Sequence, residues 1–146
     1  MKKLALAIAL CSSALALSQT TGLPSRKGYI PVQGVYTVPG TVFLLDVVYA
    51  TGSGAADKAD GTNPAKVPAV GIVVQKPDST TAVVQYVGEV DGFGSLVPGL
   101  VYYVSTTPGQ LTSTAPTANG SVVQKVGVAK TATVLMLSVD TMYTVL

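Results

Sequence analysis

Apolar and polar positions along this chain fall into short runs of the β type, and one order of runs occurs twice. Val47-Val48-Tyr49-Ala50-Thr51 opens the first pass and Val101-Tyr102-Tyr103-Val104-Ser105 opens the second. A polar stretch rich in Gly, Pro and Thr follows each. Each pass then reaches an apolar run holding a Val-Gly pair, Val70-Gly71-Ile72-Val73 and Val126-Gly127-Val128-Ala129. Each closes on a second apolar run, Ala82-Val83-Val84-Gln85-Tyr86-Val87 and Thr133-Val134-Leu135-Met136-Leu137-Ser138. Strands rich in Val, Tyr and Thr between Gly/Pro turns predict an all-β domain. Val-rich strands resemble one another through composition alone. Here the Val-Gly pair and the tyrosine recur in matching order, so the expectation is a true duplication, with halves at about 41–90 and 95–140 packed about a pseudo-twofold axis.

The finer pattern predicts about eight short strands in a sandwich or small barrel. A strand over 29–38 is broken by Pro31 and Gly34, which suits a sheet edge. Pro39-Gly40 marks a turn. A long strand is expected over 41–51, and its run Val42-Phe43-Leu44-Leu45 lacks polar alternation, as in strands covered on both faces. Residues 52–68 read as the longest polar loop. Strands over 67–76 and 80–90 form a hairpin through Pro77-Asp78-Ser79. Turns follow at Asp91-Gly92-Phe93-Gly94 and Pro98-Gly99. After a strand over 101–105, residues 111–119 read as extended surface. A last hairpin is expected over 122–130 and 133–140, and 142–146 adds a terminal strand. The body, 29–146, is thus one β domain.

Ahead of it lies a segment of a different kind. Met1-Lys2-Lys3 precedes an apolar run from Leu4 to Leu17, and Ala14-Leu15-Ala16 fits the small-x-small rule of signal cleavage. The run is short for a membrane span. Cys11 makes a poor lipidation site, because Leu10 precedes it. Large residues at 4, 6, 8 and 10 alternate with small ones, which also fits an apolar arm buried in a neighbouring subunit. The segment 1–17 is therefore either a cleaved export signal or a retained arm, and 18–28 is a linker. Membrane contact is expected only through 1–17, and only if they are retained.

Composition narrows the function classes. Of 146 residues, 48% are hydrophobic and only 11% charged, about half the usual charged share. Lys and Arg number 9 against 7 acidic residues, and two of the lysines are Lys2 and Lys3, so the body balances 7 against 7. A neutral body with no basic, aromatic-laced patch argues against nucleic acid as a partner. There is no His and no Trp, and Cys11 is the single cysteine. A Ser-His-Asp triad, a Cys-His pair and a Cys/His zinc site are excluded by those counts. No cofactor and no catalytic residue is expected.

Weaker candidates have plainer readings beside them. Glu89 and Asp91 could pair for glycoside hydrolysis, but both sit at a turn where charges stay in water. Asp57, Asp60 and Asn63 around Gly61 have the oxygen chemistry of a calcium loop without its spacing. Asn119-Gly120-Ser121 fits a glycosylation acceptor and, more simply, a turn. Tyrosines in strands, such as Tyr49, Tyr86, Tyr102 and Tyr103, are core or cross-strand partners more often than sugar platforms. Phe93, held between two glycines, is the expected exposed anchor for a partner. The C-terminal run has only Asp140 as a gatekeeper, which places Met142, Tyr143, Val145 and Leu146 at an expected interface.

The stretch 39–140 resembles small β proteins of tailed bacteriophages, of the capsid decoration and head-fibre type. The resemblance lies in the order of its phrases: Gly40-Thr41-Val42, Asp46-Val47-Val48-Tyr49, Lys58-Ala59-Asp60-Gly61, Val70-Gly71-Ile72-Val73 and Val87-Gly88-Glu89-Val90. Leu96-Val97-Pro98-Gly99-Leu100-Val101-Tyr102-Tyr103-Val104-Ser105, Thr107-Pro108-Gly109-Gln110-Leu111-Thr112 and Val126-Gly127-Val128-Ala129 continue it. Tail-fibre and baseplate modules carry similar phrases. The resemblance implies a non-enzymatic virion protein on the capsid surface, binding a repeated lattice site of a major capsid or other virion protein. It also implies copies of itself as partners, a trimer above all. The N-terminal segment departs from that pattern, since such proteins need no export signal. A secreted bacterial surface or filament subunit and an extracellular carbohydrate-binding module stand as alternatives.

Overall fold

The computed structural model describes residues 32–146. The segment at 1–17, the linker at 18–28 and the start of the strand expected from Tyr29 lie outside the described residues. Within them the chain is almost all β. The strands are β1 (Val32–Thr37), β2 (Val47–Gly52), β3 (Ala55–Lys58), β4 (Ala69–Gln75), β5 (Thr81–Val90) and β6 (Val101–Val104). β7 (Leu111–Thr112), β8 (Val122–Val123), β9 (Lys125–Ala129), β10 (Leu135–Ser138) and β11 (Thr144–Val145) follow. A 3₁₀ turn, Pro64–Lys66, starts from Asn63, whose side chain accepts the Ala65 N–H.

Nine strands form one sheet in the order β1-β3-β2-β4-β5-β10-β9-β6-β7, and β1 also pairs with β5. That extra pairing closes β1, β3, β2, β4 and β5 into a small five-stranded barrel. Closure removes free edges, which is how a short β segment avoids edge-to-edge association. β1 does this unevenly: it runs along β5 from Val32 to Thr37 but meets β3 only at Thr37. β8 and β11 form a separate two-stranded patch.

The second half repeats the pairing scheme of the first, residue for residue. β2 pairs with β3 and β4, and β4 with β5; β6 pairs with β7 and β9, and β9 with β10. Val48 faces Gly71 and Tyr49 faces Ala69, skipping one residue, and Tyr102 faces Gly127 and Tyr103 faces Lys125 with the same skip. Ile72 and Val73 face Gln85 and Val84; Val128 and Ala129 face Met136 and Leu135. The Val-Gly pairs sit at these equivalent irregularities for one physical reason. A Cβ on Gly71 would collide with the Gln85 carbonyl oxygen, and one on Gly127 with the Met136 carbonyl oxygen.

Two cores result. One fills the barrel with Val38, Val42, Val48, Ala56, Val73, Ala82 and Val84. The other lies between the barrel and the second half, from Val47, Ala69 and Ile72 to Tyr102, Val126, Leu135 and Leu137. Neighbours on one strand alternate between them: Val47 and Ile72 face outward, Val48 and Val73 inward. This two-sided burial is why the runs carry no polar alternation. Gln124, fully buried, ties the halves. Its amide accepts from Ala69 N–H at 2.8 Å and donates to the carbonyls of Ala69 and Asp140.

Several expectations are corrected. Residues 41–46 are not strand: Val42 plugs the barrel while Phe43–Asp46 form a tight turn. The loop at 52–68 contains β3, whose Ala, Asp and Lys are poor strand formers recruited by pairing with β2. The strand expected over 122–130 is split at Gln124, because that residue turns inward to reach Ala69. The count among the described residues is accordingly eleven short strands rather than about eight.

Candidate functional site

Each half begins with the same turn. Phe43–Asp46 closes through the Asp46 N–H to the Phe43 carbonyl, and 97–100 closes through the Leu100 N–H to the Val97 carbonyl. Both turns dock identically. Leu45 N–H donates to Val73 O and Gly99 N–H to Ala129 O, each at 2.8 Å; Val73 N–H returns to Asp46 O and Ala129 N–H to Leu100 O, each at 3.0 Å. The third turn residue has positive φ in both, 68° at Leu45 and 84° at Gly99. Glycine suits that conformation, and for a Cβ-bearing residue it costs about 1–2 kcal/mol. Leu45 is the one described non-glycine residue with positive φ.

The first turn carries a charge cluster that its twin lacks. Asp46 is buried, and its Oδ2 accepts the Phe43 N–H at 2.7 Å and pairs with Lys58 Nζ at 3.1 Å. Lys58 Nζ also lies 5.0 Å from the centre of the Phe43 ring. Gly109 packs against this pair, and a Cβ there would approach Asp46 Oδ1 to 2.9 Å. Two hydrogen bonds lock it in place: Val47 N–H donates to Gly109 O, and Gly109 N–H to Ala59 O.

Beside the cluster opens a cleft of about 380 Å³. Its walls come from the first turn (Leu44, Leu45, Asp46), the 92–96 segment, Tyr102, Gln110 and Leu111. It therefore sits between the halves. Phe93 N–H and Leu96 N–H donate to the carbonyls of Thr133 and Ala132, which fixes the segment. Tyr102 is buried, and its hydroxyl accepts the Val97 N–H at 3.0 Å. Large apolar side chains are exposed on both turns: Phe43 and Leu44 on one, where Leu44 also lines the cleft, and Val97 and Leu100 on the other.

The residues singled out in the sequence are scattered with respect to this cleft. Phe93 belongs to it, half-buried and packed against the core between the halves. Met142, Tyr143, Val145 and Leu146 lie elsewhere, on or beside β11, all exposed; Met142 is 80% accessible. β11 is held by β8 and by the Gly120 N–H, which donates to Leu146 O at 2.7 Å. Glu89 pairs with Lys130, while Asp91 accepts the Gly92 N–H, so the two carboxylates serve separate local contacts. Asp60 accepts from both the N–H and hydroxyl of Thr62, Asp57 from Lys58 N–H, and Asn63 from Ala65 N–H. Among the described residues, no three His, Cys, Asp or Glu side chains gather as metal ligands would. Asn119 is exposed in its turn, but Ser121 is buried.

Asp46, Lys58, Leu45 and Gln110 were not singled out as site residues. A signal for Asp46 exists, since it is the lone charge in an apolar run of nine from Val42 to Ala50. Nothing in the sequence marks Leu45, because only its backbone conformation sets it apart. No protein-family model matches the chain, and no characterised protein matches its sequence.

Proposed function

We propose that this chain is a non-enzymatic structural protein of a virion, a capsid decoration, cement or fibre-base module that binds a repeated site on a shell and associates with its own copies. The observation that carries the reading is where the exposed apolar side chains fall. Among the described residues, eight of the eleven large ones fall on the twin turns (Phe43, Leu44, Val97, Leu100) and on the C-terminal segment (Met142, Tyr143, Val145, Leu146), with Val32, Val35 and Met136 apart from them, on a body with few charges. Grouped apolar exposure marks surfaces covered by a partner. The trimer is the favoured assembly.

Sedimentation of the full chain at high micromolar concentration tests self-association, and a trimer or larger species is expected. Replacing Met142 and Val145 by Lys should return a monomer while moving stability by no more than about 0.5 kcal/mol, since both are exposed. A stable monomer of the unaltered chain removes self-association. The N-terminal pattern favours a second reading, an exported bacterial surface or filament subunit. The mass of the mature protein separates the two: retention of Met1 favours the virion, and a start near Leu17 favours export.

A further inference from the structure

We infer that the cleft between the halves is a binding site for a neutral hexose ring, such as the terminal residue of a surface glycan. The inference is independent of the shell-binding reading and survives its failure.

The hydrogen-bonding groups of the cleft indicate the ligand class. Tyr102 hydroxyl accepts the Val97 N–H, which leaves its own proton without an acceptor among the described residues. Asp46 commits Oδ2 to Phe43 and Lys58, while Oδ1, beside Gly109, has no hydrogen-bond donor among the described residues. The side chains of Ser95 and Gln110 line the same space and engage no described residue. The cleft thus offers a lone donor, a lone acceptor and two groups that do both. Leu44, Leu45, Phe93, Leu96 and Leu111 supply apolar walls.

Other ligand classes fit poorly. A wholly apolar occupant, such as a partner's Leu side chain, would strand the Tyr102 donor and Asp46 Oδ1 away from water. Asp46 and Lys58 neutralise each other, so neither an anion nor a cation finds an unpaired opposite charge in them. A pyranose has hydroxyls that donate and accept around its rim and C–H faces that pack on aromatic and aliphatic side chains. The volume, about 380 Å³, is within the usual range for small-ligand sites.

The strained backbone supports the same site. At the equivalent turn position the second half has Gly99, the residue this conformation favours. The first half keeps Leu45, whose side chain forms a wall of the cleft and reaches Gly92. Strain retained where a side chain lines a cavity points to use of that cavity.

The test is an amide NMR titration of the full chain. The probes are methyl β-glucopyranoside, methyl β-galactopyranoside and N-acetylglucosamine, with toluene and inorganic phosphate alongside. For a ligand of this size a Kd on the order of 1 mM is expected. At least one sugar should give saturable shifts confined to 92–96, Leu45, Gln110 and Leu111. Gln110→Ala and Ser95→Ala, both at exposed positions, should each weaken it by about fivefold with the rest of the spectrum unchanged. Absence of saturable shifts with all three sugars overturns the proposal. So does saturable binding of toluene or phosphate at these amides when no sugar binds there.

Discussion

The barrel half and the second half use one pairing scheme and complete it differently. In the first, β1 runs along β5 and touches β3, so five strands close on themselves. In the second, among the described residues, no strand takes the place of β1, and β7 ends the sheet with two residues. The barrel encloses its own core of Val and Ala, whereas the apolar face of the second half is covered by the outer side of β2 and β4. A duplicated four-strand unit therefore needs only one copy to close. The open copy gains its burial by docking on the closed one, and the dock leaves a cleft where the turns do not match.

The equivalence is easiest to break at the paired glycines. Gly71→Ala and Gly127→Ala each drive a Cβ into a carbonyl oxygen of the neighbouring strand, which cannot yield without moving backbone. Each should lose about 3 kcal/mol, at the upper end of overpacking effects. Gly52→Ala, where nothing lies within 4 Å of the added atom, should stay within about 0.5 kcal/mol. Urea midpoints measure all three. If one of the pair is tolerated and the other is not, the halves do not share their close strand crossing.

Gln124 is the next largest lever, because it joins the halves rather than belonging to either scheme. Gln124→Leu keeps the volume and strips three hydrogen bonds, leaving Ala69 N–H and two carbonyls unpaired. A loss of about 2 kcal/mol is expected from groups buried without partners. Hydrogen exchange should quicken first in β9 and β10 while β1 and β5 stay protected. Uniform loss of protection would mean that the halves unfold as one unit.

How much of this was legible depended on what each residue answers to. The Val-Gly pairs and the tyrosines that precede them were readable, since both are local consequences of pairing. The barrel was not. Its closure rests on β1 meeting both β5 and β3, a long-range event for which Val32–Thr37 carries no local mark. The run Val42–Leu45 misled because an unbroken apolar run reads as a covered strand, whereas only Val42 is buried, in the barrel, and Phe43 and Leu44 are exposed on a turn. β3 was hidden for the opposite reason: Ala55-Ala56-Asp57-Lys58 pairs through its backbone and shows little side-chain preference. Of the cleft, Phe93 was visible between its glycines. Asp46 and Lys58 meet only through the pairing of β2 with β3, and Gln110 joins Asp46 only after the halves dock.

The twin turns allow a smaller test. Gly99→Ala should lose about 1 kcal/mol from backbone strain alone, since nothing within 4 Å opposes the Cβ. Leu45→Gly relieves the same strain but removes a half-buried side chain and adds chain freedom in the unfolded state. Its net change should stay within about 1 kcal/mol. A large loss for Leu45→Gly would show that its side chain supports the core more than it lines the cleft.

The smallest effect appears at alkaline pH and again separates the halves, because only the barrel has the group involved. Tyr86 donates its hydroxyl proton to the Tyr36 hydroxyl at 3.1 Å, with the rings edge-to-face and their centres 6.4 Å apart. The pair spans β1 and β5, and Gly34 leaves the room Tyr86 occupies: a Cβ there would overlap its hydroxyl. Burial, and then the bond to Tyr36, push the Tyr86 phenol from its ordinary value of 10.0 up to about 12. Because the folded value is the higher one, folding favours the neutral phenol. The contribution is whole below pH 10.0 and is lost as pH rises through about 12. Stability should therefore fall across that window in the unaltered chain, and fall less in Tyr86→Phe. The decisive quantity is the difference between the two urea-midpoint profiles. Exchange protection of β1 should weaken before that of β9, since ionisation breaks the contact that seals the barrel. Identical profiles for the two proteins would mean that barrel closure rests on the backbone ladder between β1 and β5 and owes nothing to the tyrosine pair.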